Sequence, residues 1–290
     1  MLIAGIDIGG TTVKCGLFDP DKGLIQSCRY PTPFGDPEKM ADLLEAFVRQ
    51  YPVDLIGIGT AGAVYTATQT VCATNLGWED VPLKAMVQDR LHLPVWVDND
   101  AQSAMMAEWY DGACTGMRDA VYLTLGTGIG GALLLNGAPW RGRLNVGAEF
   151  GHMIVHPDGR LCACGRKGCF ELYASATAMR TISHGLSAKQ VIDGAKAGVA
   201  KMQAYFQTYI HELCIGLANL NIIFTPEIIV LGGGVSRAGQ FLSDACNREL
   251  QTIFAAHPEE LVCGVTTAVH QNDAGMLGAA VLAMHKLGKR

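Results

Sequence analysis

The chain encodes an α/β protein whose sheet-forming core occurs twice. Two observations predict this. Strand-like apolar runs alternate with helical stretches along the whole length. An apolar–Gly/Thr–apolar hairpin near the N-terminus, IDIGGTTVKCGLF, recurs near the middle as LTLGTGIGGALLL. In order, MLIAGIDIGGTTVKCGLFDPDKGLIQSCRY reads as strand, Gly-Gly-Thr turn, strand, Asp-Pro-Asp-Lys-Gly turn, strand. Residues 37–50 have helical spacing, with Pro37 suited to a first turn. VDLIGIGTAGAV is a buried strand entering a glycine loop, and LPVWVDND is a strand that leads into the helical AQSAMMAEWYDGA. AVYLTLGTGIGGALLLNG then restarts the pattern. A helical stretch covers about 196–224, EIIVLGGGV is a strand followed by a helix, and a last helix starts near 274 and runs to 288–290. This order sets a first domain at 1–116, a second at 117–273, and a C-terminal helix that packs back on the first. With no Pro/Ser-rich linker, the halves are expected to pack closely with a cleft between them.

Composition narrows the function. The 290 residues are 49% hydrophobic and 17% charged, enough for a sizeable core. The net charge of −5 and the absence of a Lys/Arg block argue against nucleic acid as the main partner. No apolar run approaches the roughly 18 residues that span a bilayer, so no membrane role is expected. The N-terminus lacks a signal-peptide pattern. Of the ten cysteines, seven are scattered singly in mostly apolar sequence and read as core residues of a reducing compartment; the expected location is the cytoplasm.

Gly9, Gly10, Thr11 and Thr12 form one candidate phosphate turn, and Thr127, Gly128, Gly130 and Gly131 a second. Glycine lets the backbone approach a phosphate, successive amides form an anion nest, and threonine adds a hydroxyl. Either turn alone reads more simply as a tight hairpin. Two in matching hairpins, with a third glycine turn in LGGGVS, point to a nucleotide, Gly233 and Gly234 passing beside the adenosine. Neither a P-loop nor a Rossmann fingerprint is present. Asp7, ending the first strand, is placed to hold Mg²⁺ through water.

VDNDAQ sets Asp98, Asn99 and Asp100 at a strand end and helix start. Helix capping accounts for one of them, and strand ends of open α/β sheets are where ligands bind. A carboxylate there can take a proton from an attacking hydroxyl in phosphoryl transfer. Further on, Cys162, Cys164 and Cys169 give C-x-C-x₄-C, which with one histidine makes a closed, structural zinc site. Spacing leaves open whether His152 or His156 is the fourth ligand.

The motifs DIGGTTVK, NLGW, NDAQ, LGTGIGG, GAEFGH, CACGRKGC followed by FE, PEIIVLGGGVS and NDAGMLGAA, in this order and spacing, resemble the ROK sugar kinases nearly end to end. The resemblance implies two actin-like, ribonuclease-H-like domains closing over ATP and a hexose, and a homodimer. It implies that Asp100 is the general base and that Gly62, Asn75, Asn99, Asp100, Glu149, His152 and Glu171 contact the sugar. It assigns zinc to His152, Cys162, Cys164 and Cys169, and leaves His156 a bystander. GAEFGH with FE resembles the glucokinase branch, so transfer to the 6-hydroxyl of glucose is expected first. N-acetylmannosamine, allose, fructose or glucoside kinases are the alternatives, and a transcription regulator or non-catalytic sugar binder is a more distant one. The chain departs from the family pattern at Thr74, at Gln102, and in a shortened segment after Ser175.

Overall fold

A computed structural model describes residues 1–65 and 67–288 of the chain. Its elements in chain order begin with β1 (Ile3–Ile8), β2 (Thr12–Asp19), β3 (Gly23–Pro31), α1 (Pro37–Val48), β4 (Leu55–Thr60) and β5 (Ala63–Tyr65). There follow β6 (Thr70–Ala73), β7 (Trp78–Val81), α2 (Leu83–Leu91), β8 (Val95–Asn99) and α3 (Asp100–Asp111). The middle holds β9 (Ala120–Leu125), β10 (Ile129–Leu135), β11 (Ala138–Trp140), α4 (Glu171–Ala174), α5 (Ala176–Ile182) and α6 (Ala188–Lys196). The last are α7 (Ala200–Phe224), β12 (Ile228–Gly232), α8 (Gln240–Ile253), β13 (Gly264–Thr267) and α9 (Ala274–Lys286).

Two compact units result. Unit 1 comprises Met1–Thr115, Arg141–Gly147 and the chain from Asn272; unit 2 comprises Gly116–Trp140 and Ala148–Gln271. Arg141–Gly147 is thus an excursion of the middle of the sequence into unit 1, which the hydrophobic pattern did not signal. Positions 289 and 290 of the expected last helix lie outside the described residues.

The sequence echo corresponds to a shared topology. Unit 1 has a five-stranded sheet of order β3-β2-β1-β4-β8, and unit 2 one of order β11-β10-β9-β12-β13. In each, the first three strands pair antiparallel and the next two join parallel. The antiparallel part is the hairpin read from the sequence. The parallel part needs helical crossovers, which the alternating pattern supplied. Unit 1 also holds a small antiparallel sheet, β5-β6-β7.

Local sequence explains the helix starts. Asp36 caps α1 by accepting from Lys39 N, with Pro37 in the first turn. Ser187 and Gln190 form a capping box on α6. Two helical readings need adjustment. The stretch expected at 196–224 is broken at Gly198, whose φ of 81° only glycine adopts freely, so α6 ends and α7 restarts at Ala200. The glycine turn after β12 leads first into a short 3₁₀ turn, Val235–Ala238, and only after Gly239 into α8.

Each unit has its own core. In unit 2 it lies between the sheet and α5–α8, with Phe170, Tyr209, Leu213 and Leu217 at its centre. In unit 1, α1 and α2 cover one part of the sheet, and α9 packs against β1, β4 and α3. Every residue of α9 from Ala274 through Met284 is buried, as an all-apolar helix requires. Close approach depends on glycine: a Cβ on Gly57 would overlap the Ala279 carbonyl, and one on Gly278 the Ser103 carbonyl. Among the described residues no helix is long and apolar enough to cross a membrane.

Candidate active site

The predicted site residues divide between the units, and each set is locally organised. In unit 1 the first candidate phosphate turn, Gly9–Thr12, joins β1 to β2. Gly9 N donates to the Thr12 carbonyl at 3.0 Å. Thr32, just past β3, holds the turn from outside: its Oγ1 donates to the Gly9 carbonyl at 2.7 Å and its N to the Thr11 carbonyl at 3.2 Å. Gly10 lies against Asn75, so that a Cβ there would sit 3.2 Å from the Asn75 carbonyl oxygen. Phosphate turn and candidate sugar ligand are therefore neighbours within this unit. Asp7 Oδ2 is paired with Lys14 Nζ at 2.8 Å. A single carboxylate fits Mg²⁺, which keeps most of its water and takes phosphate oxygens as further ligands.

Beyond β8 the three polar residues take different parts. Asn99 is the N-cap of α3, its Oδ1 accepting from Ala101 N and Gln102 N, while its Nδ2 donates to the Gly62 carbonyl at 3.0 Å. Asp98 is buried, its side chain only 1% exposed, and ion-paired with Arg141 at 2.7 Å. It also accepts from Trp96 Nε1 and Asn99 N. Asp100 opens the first turn of α3, half-buried, its Oδ1 accepting from Ala101 N at 2.8 Å. Gly62, at φ 89°, brings its carbonyl to Asn99 where any side chain would run into Cys72 and Ala73.

Arg141 was not foreseen. It heads the excursion Arg141–Gly147, which a second anchor secures: buried Asn145 donates from Nδ2 to the Val64 carbonyl at 2.9 Å. Burial, then repulsion from Arg141, holds the Lys286 ammonium below the usual lysine range. An isolated arginine in a loop carries no periodic signal, so its role emerges only in three dimensions.

In unit 2 the second candidate phosphate turn joins β9 to β10. Gly126 N donates to the Gly128 carbonyl at 3.0 Å, and Gly130 N to Thr124 Oγ1 at 3.0 Å. Gly233, at φ 81°, packs directly on Leu125, just before this turn; a Cβ there would lie 2.7 Å from Leu125 N. The two glycine turns thus meet at the ends of β9 and β12, where open α/β sheets bind ligands.

The cysteine loop brings one of the two histidines to the sulfurs. His152, Cys162, Cys164 and Cys169 bring their ligand atoms within 4.8 Å of one another. Cys164 and Cys169 sulfurs are 3.5 Å apart, and Cys162 Sγ is 3.9 Å from His152 Nδ1. Ligands of a tetrahedral zinc ion are roughly 3.3–3.8 Å apart, so this cluster fits the metal. Arg166 beside Cys164 pulls its thiol down to about 6, towards the thiolate that zinc binds, while burial pushes Cys169 up to about 12. His156 is engaged elsewhere: its Nε2 meets Glu212 Oε2 at 2.7 Å and its ring packs 4.3 Å from that of Tyr173.

The carboxylates lie beside this cluster. Glu171 Oε1 is 3.6 Å from His152 Nδ1 and 3.2 Å from Cys162 Sγ. Glu149 is an exposed residue, yet neighbouring protein desolvates its carboxyl. That desolvation raises its pKa, the proximity of His152 lowers it, and the Glu171 charge raises it again, with a net rise.

The sequence model of the ROK family matches residues 3–286. The chain belongs to the ROK family. A glucokinase of Streptomyces coelicolor is 32% identical over 309 aligned positions, covering 97% of each chain. An N-acetyl-D-glucosamine kinase of Salmonella paratyphi B is 31% identical, covering 96% of this ROK chain and 98% of the relative. A solved ROK glucokinase of Streptomyces griseus, in complex with glucose and AMPPNP, superposes with a TM-score of 0.86 at 33% identity, covering 98% of this chain and all of that one.

Proposed function

We propose that this ROK chain is an ATP-dependent kinase that transfers the γ-phosphate to the 6-hydroxyl of a hexose, glucose first. The observation that carries the reading is the arrangement at the start of α3. Asn99 caps the helix, Asp98 is ion-paired with Arg141, and Asp100 opens the first turn with its Oδ1 accepting from Ala101 N, at the position that the family resemblance gives to the general base. Full-length similarity to glucokinases, one of them solved with glucose and an ATP analogue, supports it.

In this reading Asp100 accepts the proton of the sugar hydroxyl as phosphoryl transfer proceeds. Because the transition state is loose, an ordinary carboxylate is a sufficient base. By the family resemblance, the sugar-contacting groups are Asn99, Asn75 and the Gly62 backbone within unit 1, and Glu149, His152 and Glu171 within unit 2, each able to hydrogen-bond a hydroxyl. Within unit 1, Gly9–Thr12 is the candidate phosphate turn; within unit 2, Thr127–Gly131 is the other, with Gly233–Gly234 beside it for the adenosine. Asp7 would hold hydrated Mg²⁺, which neutralises phosphate charge. His152 and the three cysteines would hold zinc as a structural ion, with Nδ1 on the metal side, fixing the ring and the loop that carries Glu171. The family resemblance also supports a homodimer, and the seven cysteines outside the cluster, scattered singly, support a reducing, cytoplasmic setting.

N-acylhexosamines form the competing substrate class, because a kinase named for one matches almost as well as the glucokinases. An ADP-release assay across glucose, mannose, allose, fructose, N-acetylglucosamine and N-acetylmannosamine decides. Glucose is expected to give the highest kcat/KM; a higher value for an N-acyl sugar would reverse the assignment.

A further inference from the structure

We propose that Thr177 is a positioning residue for the nucleotide turn of unit 2. The proposal rests on the reading of Thr127–Gly131 as a phosphate cradle. Thr177 is exposed and adds nothing to the core. Its Oγ1 nevertheless donates to the Thr127 carbonyl at 2.7 Å, fifty positions away in sequence. The preceding residue acts in the same way, Ala176 N donating to the Gly126 carbonyl at 2.8 Å. The first turn of α5 therefore occupies two successive carbonyls of the turn. A carbonyl held this way does not aim its negative end at an incoming phosphate, and the turn is fixed before nucleotide arrives. Preorganisation of this kind lowers the ordering cost of binding.

The segment that delivers Thr177 is itself fastened. Phe170 is buried, and its N donates to the Met153 carbonyl at 2.8 Å. Tyr209 of α7 donates its hydroxyl to the Ala174 carbonyl at 2.8 Å. Ser175 caps α5 by accepting from Ala178 N. Glu171 leaves the same segment one helical turn earlier and comes close to the nucleotide turn: a Cβ on Gly128 would sit 2.5 Å from Glu171 Oε2. Yet Glu171 is oriented by Cys162 and His152, not by Thr177. Removing the Thr177 hydroxyl should loosen the nucleotide turn and spare the sugar groups.

Calorimetric titration with AMPPNP and steady-state kinetics test this together. Thr177→Val is expected to raise the AMPPNP dissociation constant and the ATP KM roughly three- to tenfold, the range of one net hydrogen bond. The sugar KM at saturating ATP should stay within about twofold, and Thr177→Ser, which keeps the hydroxyl, should restore nucleotide affinity. Unchanged AMPPNP affinity in Thr177→Val overturns the proposal, as does a Thr177→Ser variant as weak as Thr177→Val. Because AMPPNP binding is read without turnover, a wild-type chain that binds AMPPNP but phosphorylates no sugar would refute the kinase reading alone. A wild-type chain that binds no AMPPNP would refute both.

Discussion

Asp98, Asn99 and Asp100 are adjacent in sequence, and the proposed reading gives them three kinds of work that substitution should separate. Asp100→Asn keeps the shape and leaves the Asn99 cap in place. Turnover should fall about 10²–10⁴-fold, the usual worth of a positioned base, with folding and metal content unchanged. Activity close to wild type would remove Asp100 from that role. Arg141→Met strands the buried Asp98 carboxylate without its counter-charge. Thermal or denaturant unfolding should show a loss of about 3–5 kcal/mol, most of it regained when Asp98 is also made apolar. A loss below about 1 kcal/mol would mean that the pair is better solvated than its burial indicates.

At the scale of elements, the zinc loop shows what tertiary structure adds to a motif. C-x-C-x₄-C was legible because thiolate spacing is a local property of the chain. The fourth ligand was not, since both histidines lie within reach in sequence and only the family resemblance favoured one. The fold favours His152, giving His156 a different partner on α7 and bringing His152 to the sulfurs. His152→Ala should lower the zinc content measured by atomic absorption and raise the sugar KM about tenfold. His156→Ala should keep the metal. The opposite pattern would exchange their assignments.

For the whole molecule, the telling feature is that unit 1 is completed by the two ends of the chain and by the excursion Arg141–Gly147. Helix α9 fills the space between α3 and the sheet, and glycines in β4 and in α9 itself admit it at backbone distance. Deleting residues 272–290 removes a continuously buried helix and exposes the sheet face beneath it. The truncated chain should lose the cooperative unfolding of unit 1 and all kinase activity. A soluble, active truncation would show that α9 is dispensable.

By itself the sequence determined the α/β class, the two hairpin turns, the strand-to-helix junction at Asn99–Asp100 and the cysteine cluster. Each is encoded within a short window, by alternation of apolar residues, by glycine at tight turns, or by ligand spacing. Tertiary structure alone decided the partner of Asp98, the return of Arg141–Gly147 to unit 1, the small β5-β6-β7 sheet and the bond from Thr177 to Thr127. Apart from the small sheet, whose short strands pair within about ten positions, these join residues tens of positions apart through single polar contacts. Such contacts leave no periodicity in the chain, because the energy that selects them comes from burial and charge pairing that exist only once the units have folded.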